Sequence, residues 1–365
     1  MNIASLQNYI FKKIDRPLFG SLTLILIISL INLTSANQQD MTNTMSQIIN
    51  IFIGVAFLYF ICNIQTRTIL TFAPWVYLIT IILLFVVYFF GIKSHGAQRW
   101  ISLGIINFQP SEILKISLPL ILAWFYQKNT NKIDYKIHFL AGLLILIPFY
   151  LILTQPDLGT SILLLSGGLI IIFLAGLPTK FLITSFFGIL LSSPFLWNSL
   201  LDYQKQRILS LLDPFSDPYG AGYHSIQSMI ALGSGGIYGR GWLNGTQTSL
   251  DFLPETRTDF IFSVFSEEFG FLGVLAILGL YIFIFYRCMW MTSKMQDNFS
   301  RLLSAGLTIS LFTGFIVNVA MISGLFPIVG VPLPFFSYGG TSMVVSLISI
   351  GIIMNLYSNK TLIAN

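Results

Sequence analysis

The feature that most constrains this chain is a series of apolar runs, each about 17–25 residues long, that recurs along its length. One such run, folded as an α-helix, can cross the ~30 Å hydrocarbon core of a bilayer. Charged residues make up 9% of the chain, whereas soluble domains carry about 25%. The sequence therefore predicts an all-α, polytopic integral membrane protein in which residues 1–365 form a single transmembrane domain. About ten transmembrane helices are predicted, near residues 18–36, 47–64, 72–91, 111–127, 138–154, 158–177, 181–200, 259–287, 301–323 and 336–357.

The basic residues predict the orientation, because short cytoplasmic loops are enriched in Lys and Arg. With the N-terminus inside, 12 of the 19 Lys and Arg residues fall on the cytoplasmic side and 7 fall outside. An N-in, C-in topology is therefore expected, with the first apolar run retained as a helix rather than cleaved as a signal peptide. The two cysteines lie at predicted cytoplasmic helix ends, where a structural disulfide is not expected. The outer basic residues are Lys93, Arg99, Lys115, Lys205, Arg207, Arg240 and Arg257.

The connections on the predicted outer side are the long ones. Residues 92–110 form a medium loop, and residues 201–258 form a large extracytoplasmic loop. Loops beyond about 12–15 residues are uncommon unless they have a function or structure of their own. Within the larger loop, Tyr223–Leu232 is predicted to form a short amphipathic helix lying at the interface.

A glycine-rich stretch, Gly233–Gly241, follows that helix. It lacks the strand–turn–helix context of a dinucleotide fingerprint and the Gly-Lys-Ser/Thr end of a phosphate loop, so neither a nucleotide site nor an organic cofactor is expected. Nothing in the chain indicates a nucleic-acid partner. Two readings remain open, an anion-binding loop beside Arg240 and a flexible hinge.

Ionisable residues at the outer ends of the predicted helices are candidate functional residues, because charges near membrane depth are costly. Asp259 lies where the long outer loop meets an apolar helix, where it can act chemically or cap that helix. Asp157 stands in a tight turn and can likewise cap the sixth helix. Glu267, about 12 Å deeper than Asp259 at the helical rise, is expected to face a polar cavity or pair internally.

Glu112 and Lys115 open the fourth predicted helix. Ser111 is the expected N-cap, and Glu112 in the first turn suits the positive end of the helix. Lys115 opposes the helix dipole at this position and lies three residues from Glu112 on the same face. We therefore expect Lys115 to pair with Glu112 or to meet an anion.

The metal-ligand types give a weaker signal. His95, His138 and His224 show no zinc-ligand spacing. Outer carboxylates could instead hold Mg²⁺ or Mn²⁺, which prefer oxygen ligands. The candidate ligands for such an ion are Glu112, Asp157 and Asp259.

Six motifs occur in an order that resembles one family, the SEDS family (shape, elongation, division and sporulation). The resemblance covers about residues 96–355, and residues 245–255 are most similar to its rod-shape branch. One departure is Arg257, where the family commonly has histidine, although a cation is retained. The motifs are Gly96–Gly104, Gln109–Glu112, Gln155–Thr160, Gln227–Gly236, Pro254–Gly270 and Gly324–Gly340.

This resemblance implies a peptidoglycan glycosyltransferase of the bacterial cytoplasmic (inner) membrane that polymerises lipid II into glycan strands during cell elongation. It implies Asp259 as the catalytic aspartate, which we expect to act as general base. It also implies polar site positions at Glu112, Lys115 and Asp157, and a class B penicillin-binding protein as transpeptidase partner. Charge and motif membership add further substrate-binding or supporting candidates, namely Arg207, Arg240, Arg257, Gln227 and Ser234.

Two alternatives remain open at this point. A lipid II flippase would also use many spans, internal charges and the proline-broken segment Phe326–Pro334. Such a transporter needs polar groups that continue to the cytoplasmic side, where Glu267 and Glu268 are the candidates. A catalytically silent scaffold for another wall enzyme would tolerate substitution of the loop charges.

Overall fold

The computed structural model describes residues 13–38, 41–94, 97–102, 107–130, 134–200, 202–220, 222–250, 252–253 and 255–359. Helices dominate these residues, and they are named here in chain order. The helices are α1 (Arg16–Ala36), α2 (Met41–Asn63), α3 (Thr66–Phe90), α4 (Pro110–Lys128), α5 (Tyr135–Thr154), α6 (Leu158–Leu174), α7 (Thr179–Ser199), α8 (Asp202–Leu212), α9 (Tyr223–Ser234), α10 (Thr246–Ser249), α11 (Ile261–Ser293), α12 (Asn298–Ile322) and α13 (Gly340–Asn359).

The predicted transmembrane architecture is confirmed. Each of the ten predicted spans corresponds to one helix, from α1 to α7 and from α11 to α13. Seven of these helices are long and apolar enough to cross a membrane by length and composition, and α6 is a shorter apolar helix of 17 residues. Several begin at side-chain caps, since Asp15, Asp157 and Asp297 each accept a hydrogen bond from a first-turn backbone N–H of α1, α6 and α12.

Strands were not predicted between α3 and α4, where the sequence suggested only a medium loop. The structure contains a small antiparallel sheet there, in the order β1 (Ile92–Ser94), β2 (Ala97–Ser102) and β3 (Asn107–Phe108). Strand pairing satisfies backbone polar groups that water would otherwise have to satisfy beside the membrane. The sheet positions Arg99 and Trp100 over the outer ends of the helices.

The large outer loop is structured, and its predicted amphipathic helix is present as α9, two residues longer than expected. This helix packs against α11 and α12. The preceding helix α8 was not predicted. Both cysteines are buried and unpaired, so the expectation of no disulfide is confirmed for Cys62 and Cys288.

Helix α11 is broken at Gly270, whose φ of 63° and ψ of −166° lie outside the helical region. The glycine-rich loop closes this break with four backbone hydrogen bonds. Arg240 N and Gly241 N donate to Glu267 O and Glu268 O at 3.0 Å each, and the N–H groups of Phe271 and Leu272 donate to Gly236 O and Ile237 O. Irregular backbone at such a position requires partners of this kind. The loop is thus bound to α11 through its backbone, a role that neither reading of the sequence had assigned to it.

Two buried carboxylates next to this break bind Arg240 and residues that follow the glycine-rich loop in the chain. Glu267 Oε1 accepts hydrogen bonds from Thr246 N and Thr246 Oγ1, both at 2.8 Å, and lies 3.6 Å from Arg240 Nη1. Glu268 accepts from Ser35 Oγ and from Leu243 N. The expectation that Glu267 pairs internally is therefore confirmed.

A non-helical segment, residues 323–339, connects α12 to α13 and returns into the bundle. Its middle is anchored by a small apolar cluster of Leu163, Val317, Val329 and Val331. Buried polar side chains of other helices bind its backbone. Among these contacts, Ser29 Oγ donates to Phe336 O at 2.6 Å and Gln47 Nε2 donates to Ser337 O at 3.1 Å.

Candidate active site

A cavity of about 990 Å³ lies at the end of the bundle where α4, α6, α11 and α13 begin. Successive helices alternate in direction, so this end is opposite the one at which α1 begins and α13 ends. Among the described residues that line the cavity, the charged side chains are four carboxylates and two cations. They are Glu112, Asp157, Glu255 and Asp259, with Arg99 and Lys115.

Asp259 precedes α11 and is the one of these carboxylates that stands without a hydrogen bond or ion pair among the described residues. It does not cap its helix, so that reading of the sequence is wrong: the N-cap residue is Phe260. The residue is half-buried where it lines the cavity. This burial, reinforced by the charges of Glu255 and Asp157, raises the pKa of Asp259 to about 7, against the opposing effect of Arg207 and Arg99.

The backbone that carries Asp259 is fixed at three successive carbonyl groups. Tyr338 N donates to Arg257 O at 2.9 Å, Ser337 Oγ donates to Thr258 O at 2.6 Å, and Asn318 Nδ2 donates to Asp259 O at 3.0 Å. Two of these donors belong to the segment 323–339 and the third belongs to α12. The segment also places Gly330 beside the carboxylate, since a Cβ added there would lie 3.3 Å from Asp259 Oδ2.

The predicted pairing of Lys115 with Glu112 is confirmed. Lys115 Nζ lies 2.7 and 2.8 Å from the two carboxylate oxygens of Glu112, which is itself buried. The N-cap prediction for Ser111 is wrong, because Gln109 is the cap residue and Pro110 occupies the first helical position. Proline has no N–H to satisfy there and its fixed φ suits a helix start, so the helix begins two residues earlier than an N-cap at Ser111 would place it.

Asp157 performs the capping role that the sequence allowed. Its carboxylate accepts from Thr160 N at 3.2 Å and from Thr160 Oγ1 at 2.9 Å. It also lies 3.8 Å from Arg99 Nε, and the Arg99 guanidinium donates to the carbonyl groups of Gln155 and Pro156. Sequence reasoning did not single out Arg99 as a site residue, although it stands inside the motif Gly96–Gly104. Its place in that motif could have identified Arg99 as a candidate site residue.

The other predicted site residues do not line the cavity. Arg240 donates to Thr246 Oγ1 at 2.7 Å beside Glu267. Arg257 is exposed, and its carbonyl rather than its guanidinium contacts the site. Arg207 lies on α8 close enough to lower the pKa of Asp259. Gln227 and Ser234 belong to α9, where Ser234 Oγ donates to Ala231 O at 3.2 Å within the helix.

The cavity does not present a ready-made metal centre. Within the residues that the structure describes, no three His, Cys, Asp or Glu side chains converge as potential metal ligands. Both oxygens of Glu112 are engaged by Lys115, and those of Asp157 are engaged by Thr160. The predicted trio Glu112, Asp157 and Asp259 therefore does not fit a resident Mg²⁺ or Mn²⁺, which requires several converging oxygen ligands.

Residues 14–362 match the family model described as cell cycle protein, which is defined by FtsW, RodA and SpoVE. The chain belongs to this family. The resemblance stated from the motifs is thereby confirmed, because this is the family of membrane proteins that those motifs indicated.

Individual members of the FtsW/RodA/SpoVE family cover nearly the whole chain. The peptidoglycan glycosyltransferase MrdB of Escherichia coli (strain K12) is 43% identical over 352 residues, which are 96% of this chain and 95% of that protein. A chain of a peptidoglycan synthase complex, studied for the coordination of polymerization and crosslinking, superimposes with a TM-score of 0.84 and 30% identity, covering 95% of this chain and 98% of the other. The rod shape determining protein RodA of Thermus thermophilus superimposes with a TM-score of 0.72 and 26% identity, covering 95% and 97%.

Proposed function

We infer that this chain is a peptidoglycan glycosyltransferase, a multi-pass protein of the bacterial inner membrane. Support comes from its family, from its identity to MrdB over nearly the full length of both proteins, and from its apolar helices. We further propose that it polymerises lipid II at the outer face of the membrane during elongation. The inferred orientation puts the cavity on that face.

Asp259 is proposed as the general base. It removes the proton from an acceptor sugar hydroxyl while that oxygen attacks the anomeric carbon of the donor. The bond between the anomeric carbon and the lipid diphosphate breaks, and the diphosphate leaves with the electron pair. Because the leaving group is stabilised by cations rather than by an acid, one carboxylate suffices, in contrast to the two of an inverting hydrolase.

The observation that carries this assignment is the state of the Asp259 carboxylate. It faces a cavity large enough for a sugar, makes no hydrogen bond or ion pair within the described residues, and has a pKa of about 7. A base of this pKa is substantially ionised at neutral pH and still basic enough to accept a proton. The neighbouring carboxylates are already used, Glu112 by Lys115 and Asp157 by the N-terminus of α6.

The cations of the cavity are proposed to stabilise the leaving diphosphate. Lys115 and Arg99 line the cavity, and each is also paired with a carboxylate. Arg207, on α8, is proposed to act at the rim. A requirement for Mg²⁺ or Mn²⁺ remains a proposal, in which the ion arrives together with the substrate. To test it, activity is measured after chelation and again after each ion is added back.

A class B penicillin-binding protein is the proposed partner. One structural neighbour belongs to a synthase complex that joins polymerization to crosslinking. A transpeptidase seated on the outer surface of this chain would receive the glycan strand as it forms.

The deciding experiment uses the purified chain with its transpeptidase partner and lipid II. Asp259→Asn and Asp259→Ala are expected to lower the polymerisation rate by about 10²–10⁴-fold, the usual contribution of a general base. The control Asp213→Asn removes a carboxylate that caps a short helix in the outer loop. Polymerisation by Asp259→Ala at the wild-type rate would contradict the assignment.

Proteoliposomes separate the enzyme from a flippase. The chain is expected to polymerise lipid II presented on the outer leaflet, without moving a labelled lipid from the inner one. Glu267 and Glu268, the carboxylates that could have extended a polar path, bind the outer loop instead. Rapid movement of labelled lipid without polymer would favour the transporter, and full complementation by a chain that lacks the cavity charges would favour the scaffold.

A further inference from the structure

We propose that Asn318 is a positioning residue for Asp259. This inference rests on the proposed function, and it concerns a residue of α12 that does not line the cavity. Asn318 is fully buried, and its side-chain amide donates two hydrogen bonds, to Asp259 O at 3.0 Å and to Val331 O at 2.7 Å.

These two hydrogen bonds join the two chain segments that meet at the carboxylate. One partner is the main chain of Asp259 itself. The other is Val331, which directly follows Gly330, the residue that lies beside the Asp259 carboxylate. The Asn318 amide therefore joins the main chain of the base directly to the segment that forms one wall of its cavity.

The orientation of this amide is determined by its partners. Carbonyl oxygens are acceptors only, so the NH₂ group must face both of them. Asn318 Oδ1 consequently remains buried without a partner among the described residues. An unsatisfied buried acceptor is unfavourable for folding, whereas the two hydrogen bonds donated by the same amide satisfy the carbonyl groups of Asp259 and Val331. The residue retains this defect in a place where its two donors fix the catalytic backbone.

The hydrogen bond from Asn318 differs from the other contacts to the carbonyl groups of residues 257–259 in the element that supplies the donor. Tyr338 and Ser337, which bind the two preceding carbonyl groups, belong to the non-helical segment 323–339. Asn318 extends from α12, a helix that is mostly buried. Among the described residues, it is the helix side chain that binds the main chain of Asp259 directly.

Asn355 provides a matched control. It is also fully buried, and its amide donates to backbone carbonyl groups of Ile61, Cys62 and Ile64 at the opposite end of the bundle. Replacing either asparagine by leucine removes the same group and leaves carbonyl oxygens unpaired. Asn355 Oδ1 also accepts from Asn359 Nδ2 at 3.0 Å, so Asn355→Leu should lose at least as much stability as Asn318→Leu, while only Asn318→Leu releases the catalytic backbone.

The test compares Asn318→Leu with Asn355→Leu in the full chain with its partner, with rates normalised to folded protein. Asn318→Leu is expected to lower kcat by about 10–100-fold, the scale of an approximately 1 Å misplacement, with KM within about twofold. It should also move the acidic limb of the pH profile, because the surroundings of Asp259 change. Asn355→Leu should leave kcat and the pH profile unchanged at an equal or greater loss of melting temperature.

Equal kcat for the two variants would overturn the proposal, and so would a loss of kcat in Asn318→Leu with the pH profile unmoved. If Asn318→Leu fails to fold, Asn318→Ser, which fits the same space, is measured in its place by the same criteria. Asp259→Ala is measured in parallel. If it is inactive while Asn318→Leu is fully active, the positioning role alone fails, whereas an active Asp259→Ala removes the proposed base itself.

Discussion

At the scale of single residues, the protonation of Asp259 governs when the site can work. Burial, together with the charge of Glu255, raises its pKa to about 7 against the opposing charge of Arg207. A general base acts in its ionised form, so activity should rise with pH and level off above the pKa. The pH dependence of kcat/KM should therefore show an acidic limb near 7.

Two neighbouring charges should move this limb in opposite directions. Glu255→Gln removes a negative charge, which lowers the pKa of Asp259 and shifts the limb to lower pH. Arg207→Gln removes a positive charge and shifts it to higher pH. Both profiles are measured at a saturating concentration of the partner protein. If the acidic limb stays in place in both variants, the titrating group is not Asp259.

Gly330 is the residue whose smallest enlargement should disturb the base. Its φ is 70°, a conformation that an L side chain adopts only at a cost, and an added Cβ would lie 3.3 Å from Asp259 Oδ2. Gly330→Ala is expected to lower kcat by about tenfold or more, because the carboxylate must shift. Gly167→Ala is the control, since the nearest atom to its added Cβ is 3.8 Å away. Similar kcat values for the two variants would show that the site tolerates the methyl group.

At the scale of elements, the break in α11 is the most demanding feature of the backbone. A Cβ at Gly270 would lie 2.2 Å from Gly239 N, and its φ and ψ are accessible in practice only to glycine. Gly270→Ala is therefore expected to destabilise the protein by about 1–3 kcal/mol or more. Gly279→Ala, in the same helix with open space around it, should be neutral or slightly stabilising.

Thermal unfolding in detergent measures both variants. The expected result is a lower apparent melting temperature for Gly270→Ala alone. Equal melting temperatures would indicate that the loop 233–241 can move away from the helix without cost, contrary to the four hydrogen bonds that join them.

The polar contacts differ in how far they could be predicted. The Glu112–Lys115 pair and the Asp157 cap join residues three positions apart, and helical geometry alone brings such residues together. The partners of Asp259, by contrast, come from positions 59 and 79 residues distant, counted from Asp259 to Asn318 and from Thr258 to Ser337. No local pattern in the sequence contains that information, which is why neither donor was a candidate.

At the scale of the whole molecule, orientation decides where the chemistry takes place. The charged cavity lies at the end of the bundle opposite the start of α1, so an N-in chain places it outside. Tyr219, in the outer loop, is 93% exposed, and Lys136, in the first turn of α5, is exposed at the other end. The native cysteines are buried and should contribute little background.

This orientation is tested with a membrane-impermeant maleimide, applied to cells whose outer membrane has been removed and whose inner membrane is intact. Tyr219→Cys should react from outside, and Lys136→Cys should react only after the membrane is opened. The reverse pattern would place the cavity in the cytoplasm, where flipped lipid II is not available, and would contradict the proposed function.

The sequence by itself determined the class of the molecule and its ten helices, because the length and apolarity of each segment are local properties that the bilayer selects. It also determined the inventory of charged residues and their order along the chain. Only the tertiary structure decided which of them meet. It turned Arg240 and the glycine-rich loop into supports of the broken helix α11 and brought Arg99 to Asp157. Among the described residues, it left the Asp259 carboxylate without a hydrogen bond or ion pair. Those outcomes depend on packing between segments far apart in the chain, and packing is what raises the pKa of one carboxylate while its neighbours are paired.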